Sequence, residues 1–456
     1  MIILSNCQIN NLITLKLYNM KYVIAALVSL FVSTACLGGD EIVCLYSSAA
    51  SEVPYRIPAI AKNKKGELVA VTDYRYCKSD IGFGRVDLHY RISRDNGRTW
   101  GEELPLVEGN GVEGDSHCGF GDAAIVADRK SKEVLLICVC GQTPYFSATR
   151  NNPNRVARLR SHDGGHTWSK PEEITESIYT LFDESKLGAV QSLFFGSGRI
   201  CQSRTIKVGK YYRIYAALCA RPGGNRVIYS DDFGQTWHAL GSIDVSPAPL
   251  GDEPKIEELP NGDVLLSSRP GWGNLNSGRF YNIFRYDRPP TNSPEGENSS
   301  LPSGSFGGGS ILNSQFSILN GQWDSPVASA DCEGGVVAKD NVTNGEILIV
   351  PAVRTADKAK TLVALQSVPL GPKRANVAIY WKELDSESAY KDASAFASGW
   401  SGPYQVSRQS SAYSTMVQQR DGRIAFYWEE IDNGQGGFEM LYRPISLTEI
   451  TGGTYK

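Results

Sequence analysis

SRDNGRTW (93–100), SHDGGHTW (161–168) and SDDFGQTW (230–237) are three copies of one sentence, Ser-x-Asp-x-Gly-x-Thr-Trp. Five fixed positions, one of them Trp, arise by chance on the order of 10⁻⁴ times or less in a chain of this length. The copies start 68 and 69 residues apart. A fixed period of that length, built from strands and turns, points to a propeller or a similar array. Asp95, Asp163 and Asp232 can accept hydrogen bonds from N–H groups further on, as in an Asx turn. Gly97, Gly165 and Gly234 supply the positive φ such a turn needs. Trp100, Trp168 and Trp237 are expected to bury apolar area against the next sheet. A Ca²⁺ loop is the competing reading, but an EF-hand loop needs more acidic ligands and a closing Glu at a set distance. The repeat therefore specifies architecture and leaves the chemistry to other residues.

Working outward, strand-like runs recur: ELVAVTDYR after Gly66, EVLLICVC, YYRIYAAL, DVLLSSR after Asn261-Gly262, EILIVPAV after Asn344-Gly345 and RIAFYWEE after Asp421-Gly422. A Gly turn before an alternating apolar run is a hairpin cue. A fourth, shortened copy of the motif is read at SILNGQW, Ser317 to Trp323, and an exposed Pro/Ser/Gly-rich loop from Pro289 to Ser310. No long helix-period segment lies between Asp40 and Lys456. The expectation is one all-β domain over 41–456.

The 456 residues carry a net charge of −3, with 46 Gly and 22 Tyr. The balanced charge, with no basic stripe, argues against nucleic acid as a partner. Five His, none in a spaced pair near Cys, disfavour a zinc site; no metal or cofactor is expected. The ten Cys show no CxxC pair, and buried free thiols are expected, with Cys138 and Cys140 alternating along one strand. Residues 1–36 read as a targeting segment. Met20-Lys21 precedes the apolar run Tyr22 to Val32 and then Ser33-Thr34-Ala35-Cys36. That is the layout of a secretory signal, with an apolar stretch of roughly 7–15 residues, too short for the about 20 that span a bilayer. Met20 is read as the true start. Export is expected, to a periplasmic, outer-membrane-anchored or secreted location, with a lipid anchor at Cys36 as one alternative and no integral span.

Arg56, in VPYRIPAI, sits among apolar residues, where a guanidinium needs an anionic partner. DYRYCKSD offers Arg75 and Asp80, and GFGDAAIV offers Asp122. GDEPKIEEL offers Glu253, LLSSRPG Arg269, GPKRANVAIY Arg374, SSAYSTM Tyr413 and IAFYWEE Glu429. With the three eight-residue repeats, Tyr-Arg-Ile-Pro and this ordered set resemble the bacterial exo-sialidases (neuraminidases) of glycoside hydrolase family 33, over Val53 to Glu430. The resemblance implies a six-bladed β-propeller with the active site at one end of its axis and the repeats, called Asp boxes, far from it. It implies that Arg56, Arg269 and Arg374 hold the sialic acid carboxylate, with Arg354 as a fallback for Arg374. Asp80 would be the acid/base, Tyr413 the nucleophile, Glu253 its base, and Glu429 (rather than Glu430) the partner of Arg56. Arg75 and Asp122 would line the site, with Tyr145 and Phe146 as candidates for an N-acyl pocket.

The chemistry suits these residue types. Three guanidiniums give multidentate recognition of a carboxylate. A neutral Tyr avoids the repulsion that a carboxylate nucleophile would meet at an anomeric carbon bearing its own carboxylate. The implied activity is removal of terminal sialic acids from glycoproteins, glycolipids and oligosaccharides with retention of configuration. The alternatives are a non-catalytic Asp-box propeller that binds glycans or partners, or a hydrolase or transferase for a related nonulosonic acid. Oligomeric state is left open.

Overall fold

The computed structural model describes residues 41–287, 320–340 and 343–456. The expected targeting segment, the stretch from Pro289 to Ser310 expected to be a loop, and the Ser317 end of the expected shortened repeat lie outside the described residues. Residues 42–456 form one compact unit. No helix among the described residues is long and apolar enough to cross a membrane.

The described strands sort into six sheets of four or five strands, antiparallel but for one short parallel pair, the blades of a six-bladed propeller. The inner strands are Tyr55–Lys62, Phe120–Ala127, Gly251–Glu258, Ile347–Val353 and Ser411–Gln418 in blades one, two, four, five and six. In blade three the inner strand is split into Ser192–Phe195 and Cys201–Val208. Between the halves, Gly198–Arg199 leaves the blade and pairs in parallel with the inner strand of blade two. Gly198 is needed there twice over: its φ is +102°, and a Cβ would collide with the Lys255 ammonium. The ring closes because Val43–Tyr46, from before blade one, pairs with Phe438–Ile445 as the outer strand of blade six. Closure ties the first described strand into the last blade, and each blade is left with only its short outer edge.

Each blade buries both faces, so its strands read as continuous apolar runs. Alternate residues of Val134–Cys140 face opposite neighbours. Val134, Leu136, Cys138 and Cys140 join the cluster shared with blade one, and Leu135 and Ile137 the one shared with blade three. The six largest apolar clusters lie between neighbouring blades in this way. Five thiols, Cys118, Cys138, Cys140, Cys201 and Cys219, are buried and free, as expected, while Cys44 is exposed.

Each Asp box forms the turn between the third and fourth strands of blades one, two and three. The bonds repeat. Gly97, Gly165 and Gly234 donate N–H to the Ser hydroxyl at 2.7, 2.8 and 2.7 Å. The Thr hydroxyl donates to the Asp carboxylate at 2.6 Å in all three. One expectation needs correction. The boxes pack on the preceding blade, because the twist of each sheet carries its outer turn over the blade before it. Trp100 meets Tyr442 of blade six at 5.0 Å and Trp168 meets Tyr90 of blade one at 6.4 Å. A Cβ on Gly97, Gly165 or Gly234 would run into Tyr442, Val69 or Leu135, each on the preceding blade. Trp323, the described end of the shortened repeat, follows the same rule, its indole N–H donating to the Leu240 carbonyl of blade three at 3.0 Å. The hairpin cue also fails once. Gly66, Gly262 and Gly422 turn between first and second strands, but Gly345 precedes the inner strand of blade five, whose turn is made by 354–359.

Burial opposes ionisation of Asp163, but the Thr167 hydroxyl and N–H, Ser161 and the His166 N–H outweigh it and hold the carboxyl down at about 2. Burial likewise opposes ionisation of Asp95 and Asp232, and the matching Thr and Ser bonds outweigh it and lower both. A depressed carboxyl adds stability that is fully present above its unfolded value, about 3.9, and is lost as pH falls through the folded one. Unfolding monitored from pH 5 to pH 2 should steepen below about pH 4, and Asp163→Asn should flatten that limb. An unchanged acid limb would show that the box carboxylates are not what titrates.

Candidate active site

Inner strands start, and second strands end, at the same end of the propeller. The Asp-box turns lie at the other end, a strand length of about 20 Å away. The sequence-derived residues fall at the first end. Arg56, Asp122, Glu253 and Tyr413 sit near the starts of four different inner strands. In each the ladder slips, between Arg56 and Ala59, Gly121 and Ala124, Gly251 and Pro254, and Ser411 and Ser414. A bulge re-aims a side chain that regular pairing would bury in the sheet face. Two bulges hold non-glycine residues at positive φ, Ile57 and Asp122, both at 55°. Such strain persists only where the surroundings fix it. Arg269 is the last residue but one of the second strand of blade four, Val264–Pro270. Arg75 and Asp80 lie in the second-to-third connection of blade one, and Arg374 in that of blade five.

The bonds bring these residues together. Arg56 donates from Nε and Nη2 to Glu429 at 2.7 and 3.3 Å, and the same carboxylate accepts the N–H groups of Ile57 (2.7 Å) and Tyr413 (3.1 Å). Glu429 is fully buried. Its neighbour Glu430 turns away, accepting from Ser407 and Trp428. The Tyr413 hydroxyl donates to Glu253, and Arg269 donates to the other oxygen of that carboxylate at 2.9 Å. The guanidinium carbons of Arg56 and Arg374 each lie 5.6 Å from the Tyr413 ring centre. Arg374 has no ion-pair partner among the described residues. The fallback Arg354 is far away, past the opposite end of the blade-five inner strand, paired with Glu383 (2.6 Å) and Asp357 (2.8 Å).

Arg75 anchors the opposite wall. Its Nη1 lies 3.1 Å from Asp80 and its Nη2 3.7 Å from Asp122. The Asp80 side chain is 65 % exposed. Desolvation pushes its pKa up, but Arg75, the Ile81 N–H, Arg56 and Arg374 outweigh this and hold it below the usual value. Burial, then Asp80 and Asp73, pushes Asp122 well above the carboxylate range; a protonated Asp122 can donate a hydrogen bond. Burial and the Glu253 charge raise the Tyr413 phenol well above its ordinary value, against Arg269 and Arg374. The phenol therefore stays protonated at rest and needs a base to release its proton.

Two features escaped the sequence reading. Asp73 is fully buried beneath Arg75; the short spacing between an acidic residue at a strand end and an arginine just past it was the available signal. An apolar corner of Ile81, Val86, Val139, Cys77 and Phe194 lies beside Asp80. Tyr145 packs edge-on against Phe194 at 5.1 Å, whereas Phe146 is 77 % exposed.

Replacing Arg374 by Ala should weaken binding of a carboxylated sialic acid analogue by about 1.5–3 kcal/mol, or roughly 10- to 150-fold, measured by titration calorimetry. Arg354→Ala should leave it unchanged. The reverse pattern would mean that the third arginine is misassigned.

A family model described as "BNR/Asp-box repeat" matches residues 228–239. The chain is 33% identical to a sialidase of Micromonospora viridifaciens over 224 residues, 47% of this chain and 32% of that one. It is 27% identical to a sialidase of Bacteroides fragilis (strain YCH46) over 241 residues, 48% of this chain and 40% of the relative. It thus spans less than half the length of either. Sialidase-3 of Rattus norvegicus is 22% identical over 432 residues, 86% of this chain and 88% of that one. Among solved structures, the Hadza microbial sialidase Hz136 superposes with a TM-score of 0.61 at 18% identity, covering 87% of this chain and 66% of that one. The intramolecular trans-sialidase from Ruminococcus gnavus gives 0.60 at 14% identity, covering 87% and 95%. Six blades and Asp boxes that repeat one set of bonds give the chain an Asp-box β-propeller fold, similar to that of the sialidases it matches.

Proposed function

We propose that the protein is an exo-α-sialidase that releases terminal sialic acids from glycoproteins, glycolipids and oligosaccharides with retention of configuration. The observation that carries this reading is the Tyr413 hydroxyl bonded to Glu253 with Arg56, Arg269 and Arg374 around it. The substrate carboxylate would bind the three guanidiniums. Asp80 would protonate the glycosidic oxygen as the C–O bond breaks. The Tyr413 oxygen would bond to the anomeric carbon, passing its proton to Glu253. In the second half, Asp80 would take a proton from water as the water oxygen attacks, and Glu253 would return its proton to the departing phenolate. Asp122 and the apolar corner at Ile81, Phe194 and Tyr145 would face the ring substituents and the N-acyl group.

Substrate binding also helps the acid. A carboxylate on Arg56 and Arg374 offsets two of the charges that hold the Asp80 pKa down. The wild-type basic limb of kcat should therefore lie at higher pH than that of kcat/KM, since the two report bound and free enzyme.

The deciding experiment is product analysis on α2,3- and α2,6-sialyl-lactose, with the anomer first released followed by NMR. The α-anomer of free sialic acid supports the reading. An inverted product rules out double displacement, and no release from any sialoside leaves a binding propeller. We also propose that the protein is exported, on the strength of the apolar run Tyr22 to Val32; the mass of the mature chain tests this and reports any lipid on Cys36.

A further inference from the structure

Asp73 makes contacts that no role in the reaction yet explains. One oxygen, Oδ2, accepts both Nε and Nη2 of Arg75, at 3.1 and 2.8 Å. The other, Oδ1, accepts the N–H of Asp122 at 3.0 Å, across the gap between blades one and two. The two contacts complement each other. With its inner edge held by Asp73, the Arg75 fork presents Nη1 outward, to Asp80 at 3.1 Å and to the Ser79 carbonyl at 3.4 Å. The bond to Asp122 pins a bulge residue at a φ that non-glycine residues rarely adopt.

We propose that Asp73 is the positioning residue that sets Asp80 and Asp122 together, one through Arg75 and the other through its backbone. This rests on the sialidase reading of the site. The chemistry of the donor set requires an ionised carboxylate. Both neighbours of Asp73 are donors, so both oxygens must accept. An Asn amide would turn its NH₂ toward either Arg75 or the Asp122 N–H and lose one of them. A protonated Asp73 would fail in the same way. Burial raises its pKa to about 6, with Arg75 and the Asp122 N–H pulling the other way and Asp80 adding to the rise. Arg75, Asp80, Asp122 and the Cys138 thiol face Asp73; Arg75, Arg56 and Arg374 face Asp80; and Glu253 faces Asp122. The carboxylate is tightly packed on the Gly121 side, where a Cβ would lie 3.0 Å from Oδ2.

The test is Asp73→Asn, assayed on an activated aryl sialoside and on sialyl-lactose across pH. With Asp80 misplaced, kcat should fall about tenfold more on sialyl-lactose than on the aryl sialoside, part of the roughly 10²–10⁴-fold that acid catalysis supplies. The basic limb should move to lower pH, because Arg75 would act on Asp80 without the opposing Asp73 charge. Gly121→Ala is the second variant. It alters no charge and pushes on the carboxylate, so it should give a milder form of the same substrate split without the shift in the limb. Equal losses on both substrates with an unmoved limb in Asp73→Asn would reduce Asp73 to a structural residue and overturn the proposal, as would full activity. Hydrogen exchange separates this from the fate of the sialidase reading. Asp73→Asn should speed exchange of the Asp122 N–H and of the 76–82 segment while the rest of blade one stays protected. If wild type releases no sialic acid yet that pattern is seen, the sialidase reading falls and the positioning stands. Unchanged exchange at both places overturns the positioning whatever the activity.

Discussion

Tyr413→Phe should retain the fold and bind substrate, yet lose turnover on the order of 10³-fold or more, the scale at which nucleophiles fail when removed. The substitution deletes one oxygen and leaves little behind to repair. Glu253 loses the phenol but keeps Arg269 at 2.9 Å, so no buried charge is orphaned. The ring still lies beside Arg56 and Arg374, and the backbone N–H still reaches Glu429. KM should therefore change little while kcat collapses, which marks an interaction made in the transition state rather than in binding. A 2,3-difluorosialic acid probe, with a fluoride leaving group and a second fluorine that slows breakdown, should form a covalent adduct, and peptide mapping should place it on Tyr413. Label on Glu253 or Asp80 would reassign the nucleophile. Near-normal turnover by the Phe variant would mean that the phenol does not attack at all.

The architecture was legible in the sequence because the Asp box is local. Ser, Asp, Gly and Thr bond to one another within eight residues, so the motif is complete wherever it is written. The direction in which its Trp packs is not local. It depends on the twist of the blade, and the expectation pointed to the wrong neighbour. The splitting of the blade-three inner strand around Gly198 escaped for the same reason: pairing with blade two is a property of two distant segments. At the candidate site, Arg56, Asp122, Glu253 and Tyr413 could be picked out from ordered motifs, but the four register slips beside them, at one end of the ring, could not. A bulge is a slip between two strands and leaves no fixed signature in either. Asp73 lay in plain view within DYRYCKSD, two residues from Arg75. It was overlooked because an acidic residue in a strand next to an arginine looks like an ordinary ion pair until its second oxygen is seen reaching into blade two.

The largest effect on stability is expected at the seam. Glu429 accepts four hydrogen bonds from a fully buried position, two from Arg56 and one each from the backbones of Ile57 and Tyr413. Arg56 and Ile57 belong to blade one, and Glu429 and Tyr413 to blade six, so this one carboxylate spans residues 373 positions apart where the ring closes. Glu429→Ala would leave a buried guanidinium unpaired and two N–H groups without acceptors. Breaking a buried pair from one side costs about 3–5 kcal/mol, and unfolding by denaturant should show a lower midpoint with an unchanged slope. Burial of Arg56 opposes its charge, and Glu429 is the group that restores it, so the variant should also lose affinity for carboxylated ligands. Glu430→Ala is the internal control. It removes an adjacent buried carboxylate that, among the described residues, accepts from Ser407 and Trp428 and pairs with no cation, and should cost less. If the two variants were equally stable, the seam would be held by its apolar cluster and the Val43–Tyr46 strand alone, and Glu429 would serve the site without serving the ring.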